Sequence, residues 1–325
     1  PCRPNMDELK FLSTYRSFFI TSHLAPDGDA IGSEIALYFF LKAQGKKAII
    51  VNDESVPPDY RFLEGSETIK TLADFKRQPR FRDSFEAAVF LECSTKYRAG
   101  QSGRLPENVP ILNIDHHFDN GLYGNVNLVS PGVSACGEIV HDIIIRSGGK
   151  ITPEIASALY TAILTDTSSF RFNTNAQTLR ITADLIDNGA EPNRIVEGVY
   201  EQVLFATLLL LGKTLSTIKQ TPDGYVVYCK VSRQMYRETG TSECDSENFI
   251  DYLRVVEGNR VTFVLKELSD GKTRVNLRSK SAYDVQKVAA EFGGGGHRNA
   301  AGCTINTGLE ESERLVLAEI KKILL

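Results

Sequence analysis

The chain reads as a two-domain α/β protein: a parallel-sheet domain that carries the chemistry, a helical connector, and a smaller mixed α/β domain. Three observations predict this. Short apolar runs at 18–20, 48–51, 87–91 and 109–114 alternate with helical segments, as expected for strands buried on both faces of a parallel sheet. Three of those runs hand over to side chains able to bind a metal, and in such a sheet the strand ends share one edge. After Gln220 the pattern changes to alternating, half-buried strands. At ~100–200 residues per domain, 325 residues fit two domains. The predicted divisions are 1–190 for the first domain, 191–215 for the connector and 216–325 for the second, with the active site in the cleft between the domains.

In chain order, a leading helix runs to about Arg16 and precedes a strand at 18–20. A helix at 31–44 stops at Gly45, a C-cap residue. The next strand is 48–51, and 56–82 is mixed, with Pro57-Pro58 and charged turns. Strands at 87–91 and 109–114 end in Glu92 and in Asp115-His116-His117. Helices are predicted at 134–145 and 153–164. The second is followed by Thr165-Asp166-Thr167 and by an extended piece at 170–172. A helix at 177–186 leads to the connector, strongly apolar from Val203 to Leu215. Beyond it, strands at 225–231, 260–268 and 273–278 and helices at 246–254, 282–292 and 310–323 complete the second domain.

The net charge of −4 argues against a broad basic surface gripping long nucleic acid, yet permits a short anionic substrate in a local pocket. Six scattered cysteines without a C-x-x-C pair suit reduced thiols, and no apolar run approaches the ~20 residues of a membrane span. A cytoplasmic protein without a membrane partner, with a homodimer left open, is the resulting expectation.

The chemistry centres on residues 21–33, TSHLAPDGDAIGS, where His23, Asp27 and Asp29 share one turn between strand and helix. One imidazole and two carboxylates so placed call for a counter-charge, most simply a divalent cation. NIDHH, residues 113–117, ends a buried strand with two imidazoles pointing in different directions. His141 falls in an apolar helical pattern and reads as structural. Adding Glu92 and Asp166, the candidate ligands become His23, Asp27, Asp29, Glu92, His116 and Asp166. Four carboxylates and two imidazoles suit two ions, and mixed oxygen and nitrogen ligation favours Mn²⁺ over Mg²⁺ or another divalent ion. Ions ~3.5–4 Å apart suit in-line displacement at phosphorus. Near the C-terminus, GGGGHRNAAG (293–302) lets backbone N–H groups approach a phosphate, with Arg278, Lys280, His297 and Arg298 adding charge.

Together, HLAPDGDAIGS, the Leu91-Glu92 strand end, NIDHH, Leu164-Thr165-Asp166-Thr167 and GGGGHRNAAG resemble the DHH phosphoesterase family with its DHH-associated C-terminal domain. Chain length and residues 165–172 look closest to its NrnA-type nanoRNase subgroup. The resemblance implies hydrolysis of very short oligoribonucleotides to mononucleotides, and removal of the 3′-phosphate of 3′-phosphoadenosine 5′-phosphate. It implies one ion on His23, Asp27 and Glu92, and a second on Asp29, Glu92, His116 and Asp166, with Glu92 bridging. It places His117 at the scissile phosphate, so that Asp29, His116 and His117 form the catalytic group. It gives Arg278, Ser279, Gly295, Gly296 and His297 to the substrate. Glu92 departs from the family's usual Asp. The alternatives are a phosphodiesterase for cyclic or linear dinucleotides such as pApA and pGpG, and, from another class, a non-catalytic nucleotide sensor.

Overall fold

The computed structural model describes residues 7–77, 85–106, 108–280 and 282–324. The chain divides into two compact units, Pro1–Gln202 and Val203–Leu325. The division falls inside the apolar connector. Helix 192–200 goes with the first unit and helix 205–215 with the second.

The first unit opens with α1 (Glu8–Thr14), β1 (Ser17–Thr21), α2 (Gly28–Ala43) and β2 (Lys47–Asn52). Helix α2 begins three residues before the predicted Ile31, because Asp27 caps it by accepting from the Ala30 N–H at 3.0 Å. The mixed stretch yields β3 (Ile69–Thr71) and α3 (Leu72–Lys76). Its end, together with the start of the leading helix, lies outside the described residues. Then come β4 (Ala87–Leu91), β5 (Ile111–Asp115), β6 (Val126–Val129), α4 (Cys136–Arg146), α5 (Pro153–Asp166), α6 (Ala176–Asp187) and α7 (Pro192–Tyr200). Strands β3 and β6 have no counterpart in the sequence reading. Each is a short edge strand with a single buried residue, so neither carries an apolar run.

The described strands form one parallel sheet in the order β3-β2-β1-β4-β5-β6. Strands β1 and β4 are neighbours, yet the chain runs outward from them in opposite directions. Their carboxyl ends therefore frame the crevice where doubly wound sheets bind ligands. Phe18 and Ile20 pack on one face against α2, α4 and α5, while Phe19 packs on the other with Phe75, Phe90 and Val51. Burial on both faces is why β1, β4 and β5 read as unbroken apolar runs. Helices α2 and α5 approach closely because small residues face each other. A Cβ on Gly32 would stand 2.2 Å from the Ala158 carbonyl oxygen, and one on Gly28 would stand 2.4 Å from Thr165 Oγ1.

The second unit comprises α8 (Phe205–Leu215), β7 (Lys219–Gln220), β8 (Val226–Val231), α9 (Arg233–Thr239), α10 (Phe249–Arg254), β9 (Val261–Glu267) and β10 (Thr273–Ser279), followed by α11 (Val285–Ala290), β11 (Gly295–His297), β12 (Ala300–Ile305) and α12 (Leu309–Leu324). Its sheet runs β11-β12-β10-β9-β8-β7, with β8 and β9 parallel and the other pairs antiparallel. One face packs on α11 and α12; the β8–β9 half of the other packs on α8, α9 and α10. The glycine run is an edge strand rather than a bare loop, and Gly296, at φ 137°, occupies backbone space that favours glycine. Among the described residues no single helix is long and apolar enough to cross a membrane.

Candidate metal centre

The carboxyl edge of the first sheet gathers most of the expected ligands. His116, one residue beyond β5, has its Nε2 3.4 Å from Glu92 Oε1, 3.8 Å from Asp166 Oδ2 and 4.0 Å from Asp29 Oδ2. His117 Nδ1 lies 3.8 Å from Glu92 Oε2. Two overlapping groups can each hold a cation: Asp29, His116 and Asp166, and Glu92, His116 and His117. His23 and Asp27 sit together, Nε2 to Oδ2 3.8 Å, and the charge of Asp27 acts on Asp29, Glu92 and Asp166.

Asp166 arrives differently from the sequence reading. The helix predicted to stop at Leu164 runs on two residues, so Asp166 is the last residue of α5 and is brought to the sheet edge by the close packing of α5 on α2. The piece expected to be extended at 170–172 is a tight turn. Ser168, Ser169 and Phe170 all have positive φ, and Thr167 accepts from the Phe170, Arg171 and Phe172 N–H groups. A helix end with a threonine ready to receive those donors outweighs the extended propensity of Phe-Arg-Phe.

The three site imidazoles share one arrangement. His23 Nδ1 meets the Leu24 carbonyl at 2.7 Å, His116 Nδ1 the Val133 carbonyl at 3.4 Å, and His117 Nδ1 Asp115 Oδ1 at 2.7 Å. A carbonyl only accepts, so Nδ1 of His23 and His116 carries the proton and Nε2 keeps its lone pair for a ligand. Asp115 also accepts from the His116 N–H at 2.8 Å and from Asn120 at 2.5 Å. Burial works against its charge, but the bonds from His117 and Asn120 hold its pKa below the usual carboxylate value.

Asp29 has a second task. Its Oδ2 accepts from the Cys136 N–H at 2.6 Å and its Oδ1 from the Gly137 N–H at 2.9 Å, closing the start of α4, whose own N-cap position is Ala135. Even so, burial and the neighbouring Asp166 push its pKa up to about 7. Glu92 is 2% exposed, and its Oε1 has no hydrogen-bond partner. It sits in left-handed backbone at φ 58°, so the chain turns sharply where β4 ends. Burial first, and then the carboxylates of Asp29, Asp27, Asp115 and Asp166, raise its pKa well above normal. Burial also raises that of Asp166. An orphaned, buried carboxylate oxygen among crowded acids is the donor set that a divalent cation satisfies. The residues present fit the expected metal.

Arg98, Asp115 and Asn120 belong to the centre but not to the sequence-based set. Arg98 Nη1 is 3.2 Å from His117 Nε2, and it lies in the 3₁₀ turn Lys96–Ala99, which has no periodic pattern to mark it. Asp115 could have been found as the residue that must orient the histidines following it. His141, read as structural, pairs with Asp184 at 2.8 Å on the helical side.

In the second unit, Arg278, Gly295 and Gly296 line a cavity of about 670 Å³ on the uncovered half of the sheet face. Ser279 does not join them. Alternation along β10 turns it to the opposite, buried face, where its hydroxyl donates to the Tyr283 carbonyl at 2.6 Å and accepts from Asn299 at 2.9 Å. There it anchors the following loop. His297 is exposed on β11, and Arg298 lines a separate cavity with Lys287 and Lys322.

A doubly wound sheet with paired acidic and histidine clusters at its switch point defines an α/β protein built to hold divalent metal. The chain belongs to the DHH family: the DHH family N-terminal domain matches residues 17–163, and the DHHA1 domain matches residues 223–324. It is 33% identical to the bifunctional oligoribonuclease and PAP phosphatase NrnA of Thermus thermophilus, over 94% of this chain and 89% of that protein. The protein of the same name from Bacillus subtilis is 24% identical over 97% of each chain. Among solved structures, an exopolyphosphatase-related protein of Bacteroides fragilis superposes with a TM-score of 0.90 at 26% identity, covering 96% of this chain and 94% of its own.

Proposed function

We propose that the protein is a metal-dependent phosphoesterase that cuts very short oligoribonucleotides to mononucleotides and removes the 3′-phosphate of 3′-phosphoadenosine 5′-phosphate. The observation that carries this reading is the convergence of Asp29, Glu92, His116 and Asp166, with an unpartnered Glu92 oxygen at its centre. The activity named for the Thermus thermophilus relative, matched along almost the whole chain, supports the substrate class.

His23, Asp27 and Glu92 would hold one ion, and Asp29, Glu92, His116 and Asp166 the other; Mn²⁺ suits this mixed donor set best. When bound, such a pair acidifies water and offsets charge on the phosphoryl oxygens. The chain's own groups do the rest. Asp115 fixes the ring of His117 through Nδ1, and Arg98 stands at Nε2, so that together they turn a donor-bearing edge toward a phosphoryl group. In the second unit, Arg278, the Gly295-Gly296 backbone and His297 bind the terminal nucleotide or its phosphate.

The test is product analysis on end-labelled di- to pentaribonucleotides and on 3′-phosphoadenosine 5′-phosphate, with Mn²⁺ or EDTA. Mononucleotides and inorganic phosphate that vanish with EDTA are expected. Binding without turnover would point to the sensor, faster cleavage of pApA or cyclic di-AMP to the dinucleotide enzyme, and turnover of pyrophosphate alone would overturn the reading.

A further inference from the structure

The second unit's cavity extends well beyond the residues assigned to a terminal nucleotide. Its floor is the sheet face formed by alternate residues of β10. Arg278 lies opposite Ala300 of β12, Asn276 opposite Gly302, and Arg274 opposite Thr304. On the other side of β10, Arg274 lies opposite Lys266 of β9. The glycine strand borders the floor near Arg278, with Gly296 paired to Ala301. Four residue steps along the strand separate Arg278 from Arg274, about 13 Å, which is too far for one phosphate to bridge and more than one stacked nucleotide step of about 3.4 Å.

Lys266 is the informative residue at the far end. It is 5% exposed, it lines the cavity, and its ammonium forms no hydrogen bond or ion pair among the described residues. The stem of Lys266 is buried while its ammonium opens on the cavity without a partner, which leaves that charge to be met by a ligand there. Burial holds its pKa below the usual lysine value, against the opposing pull of Glu247 and with a smaller push from Arg274. Glu247 and Glu243 on the facing wall act on Lys266 through space, so they offset this charge in part, but neither forms an ion pair with it. Glu243 is engaged with Arg233 at 3.1 Å and with the Ser269 N–H at 3.2 Å, and Glu247 makes no ion pair with Lys266 or Arg274. Arg274 reaches toward Thr304, Nη1 to Oγ1 3.5 Å, and is otherwise open to the cavity.

We infer that Lys266, Arg274 and Thr304 form a second anion subsite, which takes an internal phosphate of a short oligonucleotide whose end is held at Arg278 and Gly296. Asn276, midway between the two, offers an amide to a base edge or ribose hydroxyl. The inference rests on the reading of the protein as an oligonucleotide phosphoesterase and adds what measures substrate length. A mononucleotide fills only the Arg278 end, whereas a chain with an internal phosphate spans both.

The test is calorimetric binding of two probes to the full-length protein: a triadenylate with hydrolysis-resistant phosphorothioate linkages, and AMP. Lys266→Met and Arg274→Met should each weaken triadenylate binding about tenfold, as for one lost charge-assisted bond, and leave AMP within twofold. The salt dependence of triadenylate binding should fall by about one phosphate contact. Lys266→Met should melt no lower than wild type, because the apolar side chain fills the buried stem's place and no ion pair is lost. If it melts lower, Arg274→Met, at an exposed position, carries the test. Equal weakening of both probes, or no weakening of the triadenylate, overturns the subsite. Hydrolysis of the ordinary triadenylate by wild type is scored separately. Its absence alongside length-selective binding defeats the enzymatic reading and leaves the subsite standing; its presence alongside unaltered variants defeats only the subsite.

Discussion

Glu92→Gln should be more stable than wild type without metal and less stable than wild type with it. His116 Nε2 stands 3.4 Å from Glu92 Oε1 and 4.0 Å from Asp29 Oδ2, so the two carboxylate oxygens are no more than about 7.4 Å apart. At an effective dielectric of 20, and at a pH above both raised pKa values so that both groups are ionised, two charges at that separation repel by at least about 2 kcal/mol. Gln keeps the volume and removes the charge, but it buries an amide with unmet hydrogen bonds, which returns about 1 kcal/mol. Without metal, Glu92→Gln should therefore gain about 1 kcal/mol, or about 2–4 °C for a unit of this size. With Mn²⁺ at a hundred times its Kd, wild type should gain about 2.7 kcal/mol, or about 5–10 °C. The variant, lacking a carboxylate oxygen of the Glu92, His116 and His117 group, should gain about 1 kcal/mol or less. Scanning calorimetry in EDTA and in Mn²⁺ reads both arms, and turnover should drop about 100-fold or more. A variant that melts lower in EDTA, or that shifts with Mn²⁺ as much as wild type, would refute the metal centre.

Four further outcomes are expected. Asp115→Asn should cut kcat about 10²–10⁴-fold with little change in KM, because the amide cannot hold the His117 tautomer, as steady-state kinetics would register. Asp29→Asn should lose activity and also about 1–3 kcal/mol of stability in denaturant unfolding, since one acceptor oxygen cannot serve both the Cys136 and Gly137 N–H groups. Gly32→Ala should cost about 1–3 kcal/mol and lower activity together, because its methyl would push α5, and with it Asp166, away from α2. In the second unit, burial opposes ionisation of Glu313, but Lys230, Tyr228 and Lys219 hold its pKa below the usual value. Its contribution is therefore present above about pH 4.5 and lost on acidification. Glu313→Gln should be less stable by about 1–3 kcal/mol at pH 7, and the gap should close below about pH 4 in melting curves at graded pH.

Much of this was legible in the chain. The apolar runs that became β1, β4 and β5 are buried on both faces, so hydrophobicity alone marked them, and His23, Asp27, Glu92 and His116 followed at their carboxyl ends. Local pattern failed where neighbours outside it decide the outcome. Strands β3 and β6 exist only because the sheet edge offers a partner, and residues 168–172 curl because Thr167 receives their N–H groups. Ser279 turned away from Arg278 because strand residues alternate, a constraint visible only once β10 was known to continue through it.

By itself, then, the sequence picked out the candidate ligands that the fold gathers and the kinds of element on which they ride, since burial periodicity and turn residues are written locally. Tertiary structure alone decided that α5 closes on α2 to deliver Asp166, that Asp29 caps a helix more than a hundred residues away, that Arg98 meets His117, and that Lys266 lies unpaired beside Arg274. Each of those facts depends on packing between segments distant in the chain, and no local propensity records such packing.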